Sequence, residues 1–341
     1  MLSTGSTIAA DYDLGPRMAR VIIDLRSLDL THPNAPATNA HNLASALLRR
    51  RDHEYTVLEP ESRSAPPPGD VYLLPAGGRP HFGYRNVVLI PKLDHLFAHA
   101  EVGPLRLIAR TWRAALATSR ADVLLAPSQT IRDALIHFLR VPPARIAISP
   151  PGLEPGFTRT SLTEATAARV ALGLPERYVL LFGTDTVPVF EAWKAIGSER
   201  ANAHLVPAQN LRSLDRETLR AALSGALACA YCGLDNGVPL GPLEAMACGS
   251  PPIVIGDAAY PEVVRDGGLV VRPAEAIADW RESMAAVLRS RKLRADLSAR
   301  ARSLAEVFSA DRSARLLAAL LDPGPRAKEG VDAGLEDRLG G

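Results

Sequence analysis

Short apolar runs recur along the chain, and most are followed by a segment in which apolar residues return every three or four positions. A run of four to six aliphatic residues suits a strand covered on both faces, and an amphipathic segment after it suits the covering helix. The alternation therefore predicts βαβ units and parallel sheets. In the first half the predicted strands are VIIDL (21–25), YTVLEP (55–60), VYLLPA (71–76), VVLIP (87–91), DVLLAPS (122–128) and IAISPP (146–151). Between them lie the helical patterns TNAHNLASALLRRR and SQTIRDALIHFL, the second with Ser128 or Thr130 placed to cap its start.

The Pro- and Gly-rich passage PPGLEPGF (150–157) interrupts this periodicity near mid-chain. A second series opens at YVLLFG and continues through HLVPA, ALACAYC, PPIVIGD and GLVVRP. Its helices are expected at DRETLRAALS, PLEAMAC, YPEVVRD and WRESMAAVLRSR, then at RADLSARARSLAEVF and SADRSARLLAALL, the last capped by Ser309. The expected organisation is a disordered leader over 1–17, an N-terminal Rossmann-like domain over 18–152 and a second over 153–308. A helix at 309–321 and a polar, disordered tail at 322–341 complete it. The fold class is α/β, two doubly wound parallel sheets facing a cleft, and the cleft is where a ligand is expected.

Composition narrows the function without naming it. The chain has 341 residues, 47% hydrophobic and 22% charged, enough for two cores of about 150 residues each. Its 39 basic and 37 acidic side chains leave a formal charge of +2, so no global field points to nucleic acid or an acidic membrane. Three cysteines are too few and odd in number for a disulfide framework, which favours a cytoplasmic setting, and Cys229 and Cys232 lie in an apolar run that predicts burial. No stretch approaches the roughly 20 apolar residues of a membrane span, and no G-x-G-x-x-G follows a predicted strand.

The chemistry concentrates in GLDNGVPLGPLEAMACGSPPIVIGDAAYPEVVRDGGLVV (233–271). Gly237, Val238, Pro239, Leu240 and Gly241 feed into a helix that carries Leu243 and Glu244, with Pro242 at an early position where its missing N–H costs nothing. Amides at such a helix start, with the positive dipole end behind them, form an anion site suited to phosphate. Glu244 in the first turn either caps its own helix or accepts hydrogen bonds from ligand hydroxyls such as a ribose diol.

PLEAMACGSPPIV (242–254) and YPEVV (260–264) resemble the signature of the family-4 retaining glycosyltransferases, which have the glycosyltransferase B (GT-B) architecture. The segment 122–157, the strand YVLLFGT and the last helix FSADRSARLLAALL are also similar to that family, so the resemblance runs over about 19–321. It implies a metal-independent, cofactor-free transferase of hexosyl type that moves a sugar from a nucleotide-diphosphate-sugar donor to a glycan or small-molecule hydroxyl. The last helix would cross back to the first domain. Glu244 would hold the donor ribose, and Gly237, Val238, Pro239, Leu240, Gly241 and Leu243 the diphosphate.

The sequence departs from that pattern in four places. Asn236 stands where the family's sugar-contacting glutamate is expected, and an amide brings no charge to an oxocarbenium-like transition state. Where the family has a diphosphate-holding Arg and Lys, this chain has Val187, Pro188, Val189 and Phe190, with no cation until Lys194. The loop after the first strand contains no glycine, with His41 and Asn42 expected at the next helix start as polar contacts or caps. Near the end of the fourth strand Pro91 and Lys92 replace the usual histidine, leaving His95, beside Asp94, as a catalytic candidate with Asn236. These departures support an alternative, a non-catalytic pseudo-glycosyltransferase serving as a binding module or as partner of an active glycosyltransferase. Whether Lys194, Arg212 or Lys92 faces the cleft separates the two readings.

Overall fold

The computed structural model of the chain describes residues 18–29, 34–75, 78–91, 119–208, 211, 215–233, 237–256, 259–273 and 276–322. The leader, the tail beyond 322, and Lys92, Asp94, His95, Arg212 and Asn236 lie outside the described residues.

The first sheet comprises β1 (Arg20–Asp24), β2 (Glu54–Leu58), β3 (Val71–Leu74), β4 (Arg85–Leu89), β5 (Val123–Ala126) and β6 (Ile146–Ile148). Its strands are parallel and run in the order β2-β1-β3-β4-β5-β6. Every residue of the interior strand β3 is buried, as its unbroken apolar run predicts for a strand covered on both faces. Helix α1 (Ala35–Leu48) follows β1 and α2 (Gln129–His137) follows β5.

The second sheet comprises β7 (Tyr178–Gly183), β8 (His204–Pro207), β9 (Ala228–Cys232), β10 (Pro252–Ile255) and β11 (Leu269–Val271), parallel in the order β11-β10-β9-β7-β8. Around it lie α3 (Leu162–Ala171), α4 (Val187–Ile196), α5 (Arg216–Gly225), α6 (Leu240–Ala247), α7 (Tyr260–Val264), α8 (Ala276–Arg289) and α9 (Arg291–Val307). The two-residue period of β7 divides these helices. Tyr178, Leu180 and Phe182 pack with residues of α5, α6, α7 and α9, whereas Val179 and Leu181 face Val189 and Trp193 of α4 and Trp280 and Met284 of α8. Helix α3 was not named from the sequence, although its start carries a Ser161/Glu164 capping box in which each side chain meets the other's backbone N–H.

The final helix, α10 (Ala310–Leu320), follows the second sheet but buries Ala314, Leu317 and Ala318 in the first domain's core, beside Leu43 and Leu47 of α1. Its crossing point is tightly fitted to the hinge. Gly152 donates its N–H to Asn39 Oδ1 at 2.9 Å and accepts from Asn42 Nδ2 at 3.0 Å, while a Cβ on Gly152 would lie 2.6 Å from the Cα of Ala310. Asn42 is thus a buried hinge clamp in mid-helix rather than a cap or a polar contact at a helix start. α1 begins seven residues earlier because Asn34 Oδ1 accepts from the Ala37 N–H and Pro36 occupies the first turn. His41 is exposed on the same helix.

Ser128 and not Thr130 caps α2, its Oγ accepting from the Ile131 N–H at 3.2 Å, and Ser309 caps α10 in the same way at 3.3 Å. Cys229, Cys232 and Cys248 are free and buried. Among the described residues no helix is long and apolar enough to cross a membrane.

Candidate functional site

Each sheet reverses its strand order once, between β1 and β3 and between β7 and β9, and the crevice outside the carboxyl ends of strands at such a point is where open α/β sheets bind ligands. The carboxyl edge of the first sheet meets the second domain. At the end of β5, the Gln129 N–H donates to Glu262 Oε2 at 2.7 Å, and the Thr130 N–H and hydroxyl donate to Glu262 Oε1 at 2.8 and 2.6 Å. Glu262 of α7 therefore supplies acceptors to the start of a helix in the other domain, where the helix dipole favours a carboxylate. On the same carboxyl edge, Ala35 at the start of α1 packs against the second domain's core.

At the β7/β9 crevice the two strand ends approach so closely that a Cβ on Gly183, at φ +122°, would lie 1.6 Å from the Cys232 carbonyl oxygen. Behind this contact Phe182 and Tyr231 stack with centroids 5.0 Å apart, and the Tyr231 hydroxyl donates to the Gly241 carbonyl at 2.7 Å. That bond fixes the first turn of α6 to β9. Pro239 precedes α6 without a side-chain cap; the Leu240 N–H turns back to the Val238 carbonyl at 2.7 Å, and Pro242 brings no N–H to the first turn. Gly237, Val238, Pro239, Leu240, Gly241 and Leu243 are all buried around this helix start.

Glu244 sits in the second turn of α6, with its side chain only 9% exposed. It does not cap its own helix. Its Oε1 accepts from Arg216 Nη1 at 2.6 Å. Arg216 is the first residue of α5, set there by Asp215, whose carboxylate accepts the Glu217 and Thr218 N–H groups as the helix N-cap. The Arg216 guanidinium lies 4.3 Å from the Phe157 ring centroid and donates from Nε to Glu154 at 3.2 Å, while its buried Nη2 has no hydrogen-bond partner among the described residues. Burial disfavours the charge on Arg216, but Glu244 and Glu154 outweigh it and raise the pKa further. One cation thus joins the hinge residues Glu154 and Phe157 to Glu244. Sequence reasoning missed it, although an Arg directly after a helix-capping Asp, just upstream of β9, was a readable cue.

Lys194 is not brought to this group. It lies in the last turn of α4, its side chain 71% exposed and paired with Glu191 at 2.8 Å. α4 covers the face of the second sheet opposite to that of α6, and the amphipathic pattern VPVFEAWKAI turns Trp193 inward and Lys194 outward. Among the described residues no group of three or more His, Cys, Asp and Glu side chains is placed to hold a metal ion.

Residues 205–304 match the family model described as "Glycosyl transferases group 1". No curated protein matches the sequence. Among solved structures, the chain is similar to WaaG, described as a glycosyltransferase involved in lipopolysaccharide biosynthesis, at 15% identity and a TM-score of 0.62, covering 89% of this chain and 99% of that one. A sucrose-phosphate synthase from Thermosynechococcus elongatus gives 16% identity and a TM-score of 0.65 over 89% and 98% of the two chains. The Anabaena protein HepE, solved in complex with UDP and glucose, gives 13% and 0.64 over 89% and 99%. The chain therefore has the GT-B fold of two parallel-sheet domains, with a glycosyl transferases group 1 match spanning 205–304 in its second half.

Proposed function

We propose that the chain is a glycosyltransferase that moves a sugar from a nucleotide-diphosphate-sugar donor to a hydroxyl acceptor, with retention at the anomeric carbon and without a metal. The observation that carries this reading is the buried carboxylate of Glu244 on α6, directly after a Pro-Gly helix start without a side-chain cap at the β7/β9 crevice, within the segment that matches the group 1 glycosyl transferases. In this role Glu244 accepts from the ribose diol, and the positive dipole end of α6 faces the diphosphate. HepE, of the same fold, was solved with UDP and glucose, and a uridine nucleotide is the first donor to test. Three free, buried cysteines suit a reducing compartment such as the cytoplasm.

Arg216 enters this reading in place of the missing cations. Its Nη2, without a partner among the described residues, is a charged donor beside Glu244, and a diphosphate or ribose oxygen would satisfy it. The same residue favours a second reading, a non-catalytic member that binds a nucleotide or a partner, because Glu244 Oε1 is already engaged by a cation. Asn236 and His95 stay as candidates for the reacting end of the donor.

Calorimetric titration with UDP, GDP and ADP and their glucose conjugates tests the reading, with Glu244→Ala and Arg216→Ala beside the unaltered protein. Micromolar binding of one nucleotide, lost in Glu244→Ala, together with release of that nucleotide from its sugar conjugate, supports transfer. Binding without release favours the non-catalytic reading, and absence of binding at millimolar nucleotide removes the donor site altogether.

A further inference from the structure

A cleft of about 690 Å³ opens at the carboxyl ends of β1 and β3, the order-reversal point of the first sheet. Its walls include Asp24, Arg26, Arg79, His81, Phe82 and Arg120. Asp24 and Arg26 neutralise one another, Nε to Oδ1 at 2.9 Å and Nη2 to Oδ2 at 3.0 Å, and the Tyr72 hydroxyl donates to the same carboxylate at 2.6 Å. Burial raises the Asp24 pKa, but these hydrogen bonds more than offset it and keep the carboxyl below its usual range, so this floor is a fixed, neutral pair.

Arg79 and Arg120 are left without a carboxylate partner among the described residues. Arg120 instead lies over the ring of Phe82, 5.6 Å from its centroid, and Phe82 is 83% exposed. Arg79, His81, Phe82 and Arg120 are all exposed, so two guanidinium groups with no carboxylate partner among the described residues, an imidazole and a bare aromatic face meet solvent together, where planar donors and positive charge favour an anion. The loop is also held in place. Buried Asn86 accepts the His81 N–H at 2.7 Å and donates to the His81 and Tyr84 carbonyls at 2.9 Å, and the Tyr84 hydroxyl donates to Pro67 O at 2.7 Å. His81 and Phe82 therefore project from a backbone pinned to β4, and this wall of the pocket is preorganised.

We propose that this pocket seats a phosphate monoester carried by the acceptor, with Arg79 and Arg120 on the phosphate oxygens, His81 at its edge and Phe82 under the sugar ring. Planar guanidinium forks match phosphate geometry, and the volume suits a sugar phosphate rather than a long glycan. The word acceptor rests on the transferase reading, whereas the phosphate seat rests on the pocket alone.

The test is calorimetry of the full chain with glucose 6-phosphate, inorganic phosphate, glucose and glucuronate, using the unaltered protein, Arg79→Gln and Arg120→Gln. UDP titrations and thermal melts are run on all three. The expected result is binding of glucose 6-phosphate but not glucose, weakened about tenfold or more in each variant as a charge-assisted bond is lost, with melting and UDP affinity unchanged. Absence of heat from both phosphates overturns the proposal, as does phosphate binding that neither variant weakens, or glucuronate binding as tightly as glucose 6-phosphate. If UDP fails to bind while glucose 6-phosphate still depends on both arginines, the phosphate seat stands and the transferase reading falls.

Discussion

Glu262 Oε1 accepts two hydrogen bonds from Thr130, 2.8 Å from its N–H and 2.6 Å from its hydroxyl, although the two residues belong to different domains. The contact pins α7 of the second domain to the start of α2 in the first. Replacing Glu262 by Ala removes a helix-capping carboxylate and should cost about 1–2 kcal/mol. Small-angle scattering should show a larger radius of gyration for Glu262→Ala and an intermediate one for Glu262→Gln, which keeps one acceptor. Unchanged scattering would mean that the cleft is held elsewhere.

The Arg216–Glu244 pair is testable by its asymmetry. Arg216→Ala leaves a carboxylate that is 9% exposed without its partner, whereas changing both residues removes the charge problem. Denaturant unfolding should show Arg216→Met destabilised by about 2–3 kcal/mol and Arg216→Met/Glu244→Leu recovering most of it. Additive losses would show that the pair is not coupled.

Two glycines at strand and helix ends should respond very differently to alanine. At Gly183 the new Cβ meets the Cys232 carbonyl oxygen at 1.6 Å, a backbone clash that no rotamer change relieves. At Gly173, φ +64° at the end of α3, nothing lies within 4 Å of the new Cβ. Gly173→Ala should cost about 1 kcal/mol and fold normally. Gly183→Ala should fail to accumulate as soluble protein, and a normal melt would refute the close approach of β7 and β9.

The cysteines set the alkaline limit. Burial pushes the thiols of Cys229, Cys232 and Cys248 up to about 12 from an ordinary 9.0. Between those values the unfolded chain has lost the thiol protons and the folded chain has kept them, so stability is full below about pH 9 and declines as pH rises towards 12. Urea midpoints taken at pH 8, 9.5 and 10.5 should fall along the series, and the fall should be shallower in Cys248→Ala. Native protein at pH 8 should also resist a thiol reagent that labels it readily in urea.

What the sequence determined by itself was the local layer of the structure. Burial on two faces writes strands such as VYLL as continuous apolar runs, and single-face burial writes the helices at a 3.6-residue period, so the eleven strands among the described residues and the Pro-Gly hinge could be located from neighbours in the chain. Glu244 was legible for the same reason, as a carboxylate just after a Pro-Gly helix start. Tertiary structure alone decided the pairings. Asn42 turned inward to the hinge 110 residues away, Arg216 reached Glu244 across 28 residues, and Arg79 and Arg120 came to line one cleft with Asp24 and Arg26. Lys194 was carried to the opposite face of its sheet from α6. Such contacts depend on which strand lies beside which and on the face each helix covers, and a one-dimensional pattern that repeats from unit to unit does not encode that order.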